Sequence, residues 1–291
     1  MGFFSDLFSK QNCVFCEQQV GALSRKKLKD KTYICKECEK NCSAYIDVSK
    51  FDNGFISNHI EYMKKQNILY EKEVAPLDKS KKERFVSGWD GIIFVDSIAM
   101  FEVISPKYNK KNVKELFRYD QIQDFNYYNV ENTSTGEGQK KYSESGIEII
   151  FRCPIDENGW TNNQVNGGRL HPYVPKIRIP FEKNTDDANC GGLAKAHLNK
   201  LFGRASESLL GSIKEDFTGT GKERAQFKAG VDSVKALGNL AKAAITKDAE
   251  GLDDAKNEMK NVATDMFNAT FNFGARYTSI ADEAEKRAWE E

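Results

Sequence analysis

Four cysteines near the start of the chain constrain its folding more than any other feature. They form two Cys-x2-Cys pairs, Cys13 with Cys16 and Cys35 with Cys38, with eighteen residues between the pairs. Two such pairs at this separation predict a tetrahedral zinc site, in which each sulfur lies about 2.3 Å from the ion. Four thiolates leave no coordination position open. The predicted zinc is therefore structural, and its binding energy is largely folding energy.

Two disulfides, or one redox-active Cys-x-x-Cys pair, are the alternatives to a metal site. Disulfide frameworks are typical of secreted domains, and no apolar segment with a small-residue cleavage site follows the start of this chain. A thioredoxin-like pair needs one motif inside a βαβ frame rather than two matched motifs. Cys42 follows Cys38 by one helical turn, but four better-placed sulfurs make it unnecessary as a ligand.

Composition indicates a globular protein without a general affinity for nucleic acid. Of the 291 residues, 40% are hydrophobic, which is enough for at least one sizeable core. The 43 basic residues are balanced by 43 acidic ones, so any basic binding site must be local. No apolar run approaches the roughly 18 residues that span a bilayer, and we expect a cytoplasmic protein.

The pattern along the chain predicts an α+β protein in five parts. Residues 1–11 form an amphipathic helix, residues 12–50 a zinc-binding module of the ribbon or treble-clef type, and residues 51–83 a helix and linker. Residues 84–204 contain seven short β-rich runs and then a helix, the pattern of a small antiparallel barrel closed by that helix. The runs are Arg84–Ser87, Gly91–Val95, Ala99–Ile104, Leu116–Tyr119, Ile122–Val130, Gly146–Cys153 and Lys176–Phe181.

Residues 205–291 read as a helical hairpin. Apolar residues between 252 and 273 follow a heptad spacing, and those between 227 and 245 form a matching stripe. The resulting seam serves either internal packing or oligomerisation.

Two surfaces are candidates for membrane or partner contact. The N-terminal helix carries four apolar side chains on one face, so it either docks on the protein itself or lies in a membrane interface or partner groove. These are Phe3, Phe4, Leu7 and Phe8. A loop between predicted strands clusters four lysines, which either meet anionic headgroups or are simply solvated. These are Lys107, Lys110, Lys111 and Lys114.

A third surface is the basic tip of the hairpin inside the zinc module. It is either a solvated turn that partly offsets the negative zinc tetrathiolate or a nucleic-acid contact, although Tyr33 is the only aromatic residue nearby. Its basic residues are Arg25, Lys26, Lys27, Lys29 and Lys31.

The sequence does not predict a catalytic site. His59 has no second candidate ligand nearby and is expected at the surface, and His171 lies in a Pro-containing loop without a metalloprotease or Cys-His frame. Cys190 and His197 are seven residues apart on one predicted helix, about 10 Å, too far for a thiolate pair. Gly219–Glu223 lacks the first glycine and the hydroxyl of a phosphate-binding loop.

The first residues resemble a known but uncharacterised family of Gram-positive bacterial proteins. Those proteins begin with a short Met-Gly-Leu-Phe-type helix and a zinc-ribbon domain of unknown function, which residues 1–10, the first Cys-x2-Cys and Tyr33–Cys38 resemble over roughly 45 residues. The resemblance implies metal ligation by the four cysteines. Glu17 departs from it, since glycine often follows the second cysteine of such a turn. Separately, Phe117–Phe125 is similar to a strand of bacterial pleckstrin-homology-like domains, which implies a fold but no ligand.

These observations together predict a non-enzymatic zinc-binding adaptor. We expect it to contact a protein partner or an anionic membrane surface at the inner face of the membrane. The alternative is a nucleic-acid-binding zinc-ribbon protein that uses residues 25–31, and the sequence indicates no small-molecule substrate.

Overall fold

The computed structural model describes residues 10–133, 138, 140–162, 168–185, 190–202 and 277–290. Two units divide the chain, one made of residues 1–194 and 278–291 and the other of residues 195–277. Three predicted features lie outside the described residues. They are the N-terminal helix with Phe3, Phe4, Leu7 and Phe8, the segment Gly219–Glu223, and the two apolar stripes of the predicted hairpin within 227–273.

Two short hairpins build the cysteine-containing module. β1 (Gln11–Asn12) pairs with β2 (Gln19–Val20), and β3 (Arg25–Lys27) pairs with β4 (Tyr33–Cys35), both antiparallel. The second hairpin turns later than expected, because Leu28 is buried and closes the turn by hydrogen-bonding to Thr32. Residues 25–27 are therefore part of a strand and not of the hairpin tip.

A long helix, Asn53–Leu69, follows the module and continues as a π-helical turn over Tyr70–Val74. The side chain of Asp52 caps its start by accepting a hydrogen bond from the backbone N–H of Phe55 at 2.8 Å. Its buried positions recur every three or four residues, so one face packs against the rest of the protein. They are Ile56, His59, Ile60, Met63, Gln66 and Leu69.

The predicted strands form two antiparallel sheets. The four-stranded sheet has the order β5 (Glu83–Ser87), β6 (Asp90–Val95), β7 (Met100–Ile104) and β8 (Leu116–Arg118). The three-stranded sheet places β10 (Tyr142–Phe151) between β9 (Ile122–Glu131) and β11 (Lys176–Thr185). Each β connection in the first sheet joins neighbouring strands, which explains why local turn signals located them.

Neither sheet closes into a barrel, so the barrel-like part of the predicted fold class is replaced by two open sheets. The sheets share an aromatic core. The ring of Phe117 in β8 lies 5.3 Å from that of Phe101 in β7 and 5.1 Å from that of Phe151 in β10. Local patterning identified the strands, but closure depends on pairing between distant edges, which no local pattern specifies.

The helix Cys190–Leu201 follows β11 and starts against the three-stranded sheet. Gly191 allows this approach, because a Cβ atom there would lie 2.8 Å from the ring of Tyr127 and 3.4 Å from Cα of Gly146. Gly146 is required within the sheet, because a Cβ atom there would lie 2.0 Å from the carbonyl oxygen of Ile179 in β11. Gly146 also lies at a register shift between β10 and β11.

A buried carboxylate, Glu115, joins the module to the first sheet. One oxygen, Oε2, accepts hydrogen bonds at 2.6 Å from the hydroxyls of Ser43 and Tyr108. The other, Oε1, lies 4.0 Å from Nε2 of His171 and accepts no hydrogen bond from the described residues. Nδ1 of His171 accepts from the backbone N–H of Val174 at 3.0 Å, which assigns the ring proton to Nε2.

His59 belongs to the same buried cluster, and its expected surface position is wrong. Its side chain is fully buried, and Nε2 accepts a hydrogen bond from the backbone N–H of Ser43 at 2.9 Å. Burial lowers the pKa of both His59 and His171 to about 3, so both imidazoles are neutral at physiological pH.

The C-terminal helix, residues 277–289, packs on the first sheet through charge as well as through a stripe of buried alanines. Arg118 of β8 is 3% exposed, and its guanidinium contacts Asp282 at 2.8 Å and Glu285 at 2.7 Å on this helix. Nε1 of Trp289 donates to the backbone oxygen of Lys65 on the long helix at 3.1 Å. Among the described residues, no helix is both long and apolar enough to cross a bilayer.

The ionisation of Glu115 predicts a pH-dependent stability. Burial raises the pKa of Glu115 from 4.5 to about 7, so the folded protein binds more protons than the unfolded chain between these values. Stability should therefore fall as pH rises through this window. Relative to Glu115→Gln, the free energy of unfolding of the natural protein should decrease by roughly 3 kcal/mol, as measured by urea unfolding.

The matched control is Glu61→Gln, which alters an exposed glutamate on the long helix. Its unfolding free energy should track that of the natural protein at every pH. Parallel pH profiles for the natural protein and Glu115→Gln would contradict the assignment of a costly buried carboxylate.

Candidate metal centre

The first cysteine pair lies in the turn of the β1–β2 hairpin. The backbone N–H of Glu17 donates to the carbonyl oxygen of Cys13 at 2.8 Å, and the N–H of Cys13 donates to that of Gln18 at 3.0 Å. Glu17 has a φ of 61°, in the left-handed region that favours glycine. Glu17 therefore replaces the glycine that often follows such a cysteine pair at the position of the turn where glycine has a conformational advantage.

The second pair spans the end of β4 and the one-turn helix Lys36–Glu39. Cys35 is the N-cap of this helix, and its sulfur accepts a hydrogen bond from the backbone N–H of Cys38 at 3.3 Å. The backbone N–H of Cys35 donates in turn to the sulfur of Cys13, also at 3.3 Å. Backbone hydrogen bonds to the sulfurs of Cys13 and Cys35 thus hold the two pairs together.

All four sulfur atoms lie within 4.8 Å of one another, and those of Cys16 and Cys35 are 3.7 Å apart. Sulfurs around a tetrahedral ion with bonds of about 2.3 Å are separated by about 3.8 Å, so the arrangement fits such an ion. All four are free thiols, which disfavours the disulfide alternative. The site could hold a metal ion, and four cysteines are a ligand set that zinc commonly takes.

The local electrostatics require a cation if all four thiols are to ionise. Burial opposes ionisation of Cys13, but the backbone N–H groups of Cys35, Phe15 and Cys16 outweigh it and lower its thiol pKa to about 7. Burial, together with the neighbouring sulfurs, raises the pKa of Cys38 far above its usual value. A divalent cation would compensate this repulsion, so metal binding would release protons from the site.

The metal site sits beside an apolar core that extends beyond the module. Cys38 and Phe15, which lies between the first two cysteines, pack against it. The core combines residues of the hairpin, the following loop and the long helix. These are Leu28, Ile34, Cys42, Val48, Phe51, Ile56 and Ile60. Cys42 is therefore a core residue outside the four-sulfur cluster, and burial raises its pKa to about 12.

Two of the five basic residues of the second hairpin are engaged within the module. Arg25 donates to the carbonyl oxygen of Val20 at 3.2 Å, and Lys26 pairs with Glu39 at 2.7 Å. Lys27, Lys29 and Lys31 are exposed. Nζ of Lys29 lies 5.5 Å from the ring centre of Trp160, a residue far away in sequence that is 66% exposed.

The lysine loop between β7 and β8 divides into a structural and an exposed half. Lys111 donates to the carbonyl oxygen of Glu39 at 3.0 Å, and Lys114 pairs with Glu102 at 3.0 Å. Lys107 and Lys110 are exposed to solvent. The side chain of Lys114 is 45% exposed despite its ion pair.

Sequence reasoning did not single out two exposed tryptophans. Trp89 is 76% exposed at the β5–β6 turn, and Trp160 is 66% exposed in the loop before β11. Each stands next to a glycine in turn-forming sequence, Gly88-Trp89-Asp90 and Asn158-Gly159-Trp160. A large aromatic residue within a turn-forming segment is the sequence signal that would have identified them.

Comparison with known proteins identifies one domain. Residues 11–57 match the model of a domain of unknown function, DUF4428. The match contains the four cysteines and ends within the first turn of the long helix. No curated protein and no solved structure matches the chain.

Loss of one metal ligand should abolish stable zinc binding. Cys16→Ser alters an exposed side chain and leaves the core intact, yet it removes one of four thiolates. Since losing a residue that only supports a ligand costs up to about 100-fold in affinity, we expect a larger loss here. The measurement is zinc per chain by mass spectrometry after dialysis, together with a chelator titration.

Cys42→Ser is the control, because it makes the same chemical change on a cysteine that lies outside the cluster. It should keep one zinc per chain while losing stability from its buried hydroxyl. Equal zinc affinity in the two variants would refute the ligand assignment.

Glu17→Gly should stabilise the zinc-loaded protein by about 1 kcal/mol, since it removes the cost of a left-handed backbone with a Cβ atom. Glu17→Ala keeps the Cβ atom and should show no gain. The measurement is the urea midpoint with zinc in excess. An equal gain in both variants would instead trace the effect to the lost glutamate charge.

Proposed function

We propose that the chain is a non-enzymatic cytoplasmic adaptor, stabilised by zinc, that contacts an anionic membrane surface. The observation that carries this proposal is an exposed tryptophan close to exposed lysines. In the register of the first sheet, Gly91 of β6 pairs with Ile104 of β7. The Trp89 turn before β6 and the loop after β7, with Lys107 and Lys110, therefore lie at the same end of the sheet.

This combination suits a membrane–water interface. Tryptophan favours the headgroup region, where its ring is apolar and its N–H can still bond. Each lysine near an anionic surface contributes about 1 kcal/mol. The apolar face of Phe3, Phe4, Leu7 and Phe8 belongs to the same proposal as a second anchor.

The fold is part of the proposal. We assign residues 84–204 to a pleckstrin-homology-like domain, supported by the chain order of four strands, three strands and one helix. Zinc fits the proposal as a structural ion, because a four-cysteine set leaves no position for a substrate.

The experiment is flotation of the zinc-loaded full chain with vesicles of phosphatidylcholine, with and without phosphatidylglycerol. We expect binding only with phosphatidylglycerol. Trp89→Ala and Lys110→Gln should each lower the bound fraction, the lysine change by about fivefold. Removal of residues 1–9, which leaves β1 intact, should lower it further. Lys81→Gln is the control, because Lys81 is exposed just before β5 at the opposite end of the sheet.

Equal flotation with neutral and anionic vesicles, or none at all, would reject the membrane proposal and favour a protein partner. Flotation that survives Trp89→Ala and Lys110→Gln unchanged would reject this surface as the contact.

Nucleic-acid binding remains the second candidate function, and one observation favours it. Lys29 and the exposed Trp160 form a basic and aromatic pair beside Lys31, the combination that stacks on and neutralises single strands. A fluorescent single-stranded oligonucleotide tests it in the same buffers. Binding that falls steeply with salt and is lost in Trp160→Ala would favour this function over the membrane one.

A further inference from the structure

A cleft of about 270 Å³ opens between the segment that follows the metal ligands and the start of β11. Its lining combines aromatic rings with basic side chains from four separate parts of the chain. The rings are Tyr45, Phe51 and Tyr173, and the basic side chains are Lys50, Lys107, Lys176 and Arg178. Neither the metal site nor the strand pairing of the fold requires this convergence of positive charge.

The cations differ in how far their charge is already balanced. Nζ of Lys50 donates to the backbone oxygen of Glu157 at 2.9 Å and to the side-chain oxygen of Asn158 at 3.4 Å, two neutral acceptors. Lys107 is exposed and forms no ion pair with a described residue. Both therefore keep their positive charge available to an anion. Asp47 and Asp156 also line the cleft, but their side chains accept backbone N–H groups of their own turns.

Lys176 forms an ion pair with Glu157, whose carboxylate occupies the position where an anionic ligand would bind. Its Nζ lies 2.5 Å from Oε1 of Glu157 and 3.7 Å from Oε2 of Glu148. The side chain of Glu157 is 61% exposed, so this ion pair contributes little to stability. An anionic ligand can therefore displace Glu157 from Lys176 at a small cost in free energy. Asp156 fixes the turn that presents Glu157 by accepting the backbone N–H of Asn158 at 2.8 Å.

Arg178 differs from the three lysines because it is held in place. Its guanidinium pairs with Glu148 at 2.7 Å and lies 4.6 Å from the ring centre of Tyr128. It contributes a fixed positive field at the rim of the cleft, and we give it no direct ligand role.

We propose that this cleft binds a small phosphorylated ligand, whose phosphate displaces the carboxylate of Glu157 and lies between Lys50, Lys107 and Lys176. A phosphate carries more charge and more acceptor oxygens than a carboxylate, so it competes well for three ammonium groups. The volume is below that of drug-sized sites and suits a phosphate with a few carbon atoms. The organic part would lie against the rings of Phe51 and Tyr173.

The proposal goes beyond the proposed membrane function and does not depend on it, although a lipid headgroup and a soluble phosphate ester share this chemistry. The two sources are separable. A soluble ester fills the cleft alone, whereas a lipid also needs the exposed Trp89 at the surface.

The test uses calorimetric titration of the zinc-loaded full chain with glycerol 3-phosphate, inorganic phosphate and, as the uncharged control, glycerol. We expect binding of both phosphates and none of glycerol. Glu157→Gln should tighten binding by about two- to fivefold, because the competing carboxylate is gone. Lys176→Gln and Lys107→Gln should each weaken it by about fivefold.

Lys81→Gln is the control, because Lys81 is an exposed lysine just before β5 that does not line the cleft. It should leave phosphate binding unchanged. All the altered side chains are exposed or half-buried, and zinc content and the unfolding midpoint verify that each variant folds.

The outcomes distinguish this proposal from the membrane function. Phosphate binding with the expected variant pattern, but no flotation on phosphatidylglycerol vesicles, supports the cleft and overturns the membrane contact. Flotation without any phosphate binding overturns the cleft. Phosphate binding that is indifferent to Glu157→Gln, Lys107→Gln and Lys176→Gln also overturns it, because the anion then binds elsewhere.

Discussion

The rest of the described structure depends on how the carboxylate of Glu115 is kept in an apolar interior. A buried carboxylate is costly unless donors surround it, and its two shortest hydrogen bonds come from different parts of the protein. One donor, Ser43, belongs to the cysteine module, and the other, Tyr108, belongs to the loop between β7 and β8. Moving the module away from the sheet would remove the Ser43 donor and leave the buried carboxylate with the hydroxyl of Tyr108 alone. The two parts are therefore fixed by a polar contact whose loss costs free energy.

A short stretch of chain links the four-cysteine cluster to this polar contact. Cys38 is a candidate ligand, Cys42 packs in the shared core, and Ser43 donates to Glu115. The backbone N–H of Ser43 is also bonded to His59 of the long helix. A metal ion that orders the second cysteine pair would therefore order the polar contact as well. Metal binding and packing of the long helix are coupled by connectivity, although no helix residue is a candidate ligand.

Local patterns predicted most elements because their signals are themselves local. All seven β-rich runs correspond to β5–β11 in order, and the apolar spacing of Ile56, Ile60 and Met63 marked the long helix. The four sulfurs meet as their spacing predicted. Polar contacts between residues far apart in sequence leave no such local signal. No residue near His59 in sequence indicates that the backbone N–H of Ser43 donates a hydrogen bond to it. A histidine without a second candidate ligand nearby is therefore predicted to be exposed.

The same reasoning explains why local sequence does not show which basic residues are available to a ligand. A lysine near other lysines signals charge, but whether the charge is free depends on carboxylates and carbonyls brought in by the fold. Lys111 and Lys114 are used internally, whereas the cleft gains Lys176 from a distant strand. A chain with equal numbers of acidic and basic residues can still present local positive charge in this way. Binding at such a site depends on displacing particular carboxylates such as Glu157, which makes it selective for the ligand's geometry and less sensitive to overall charge.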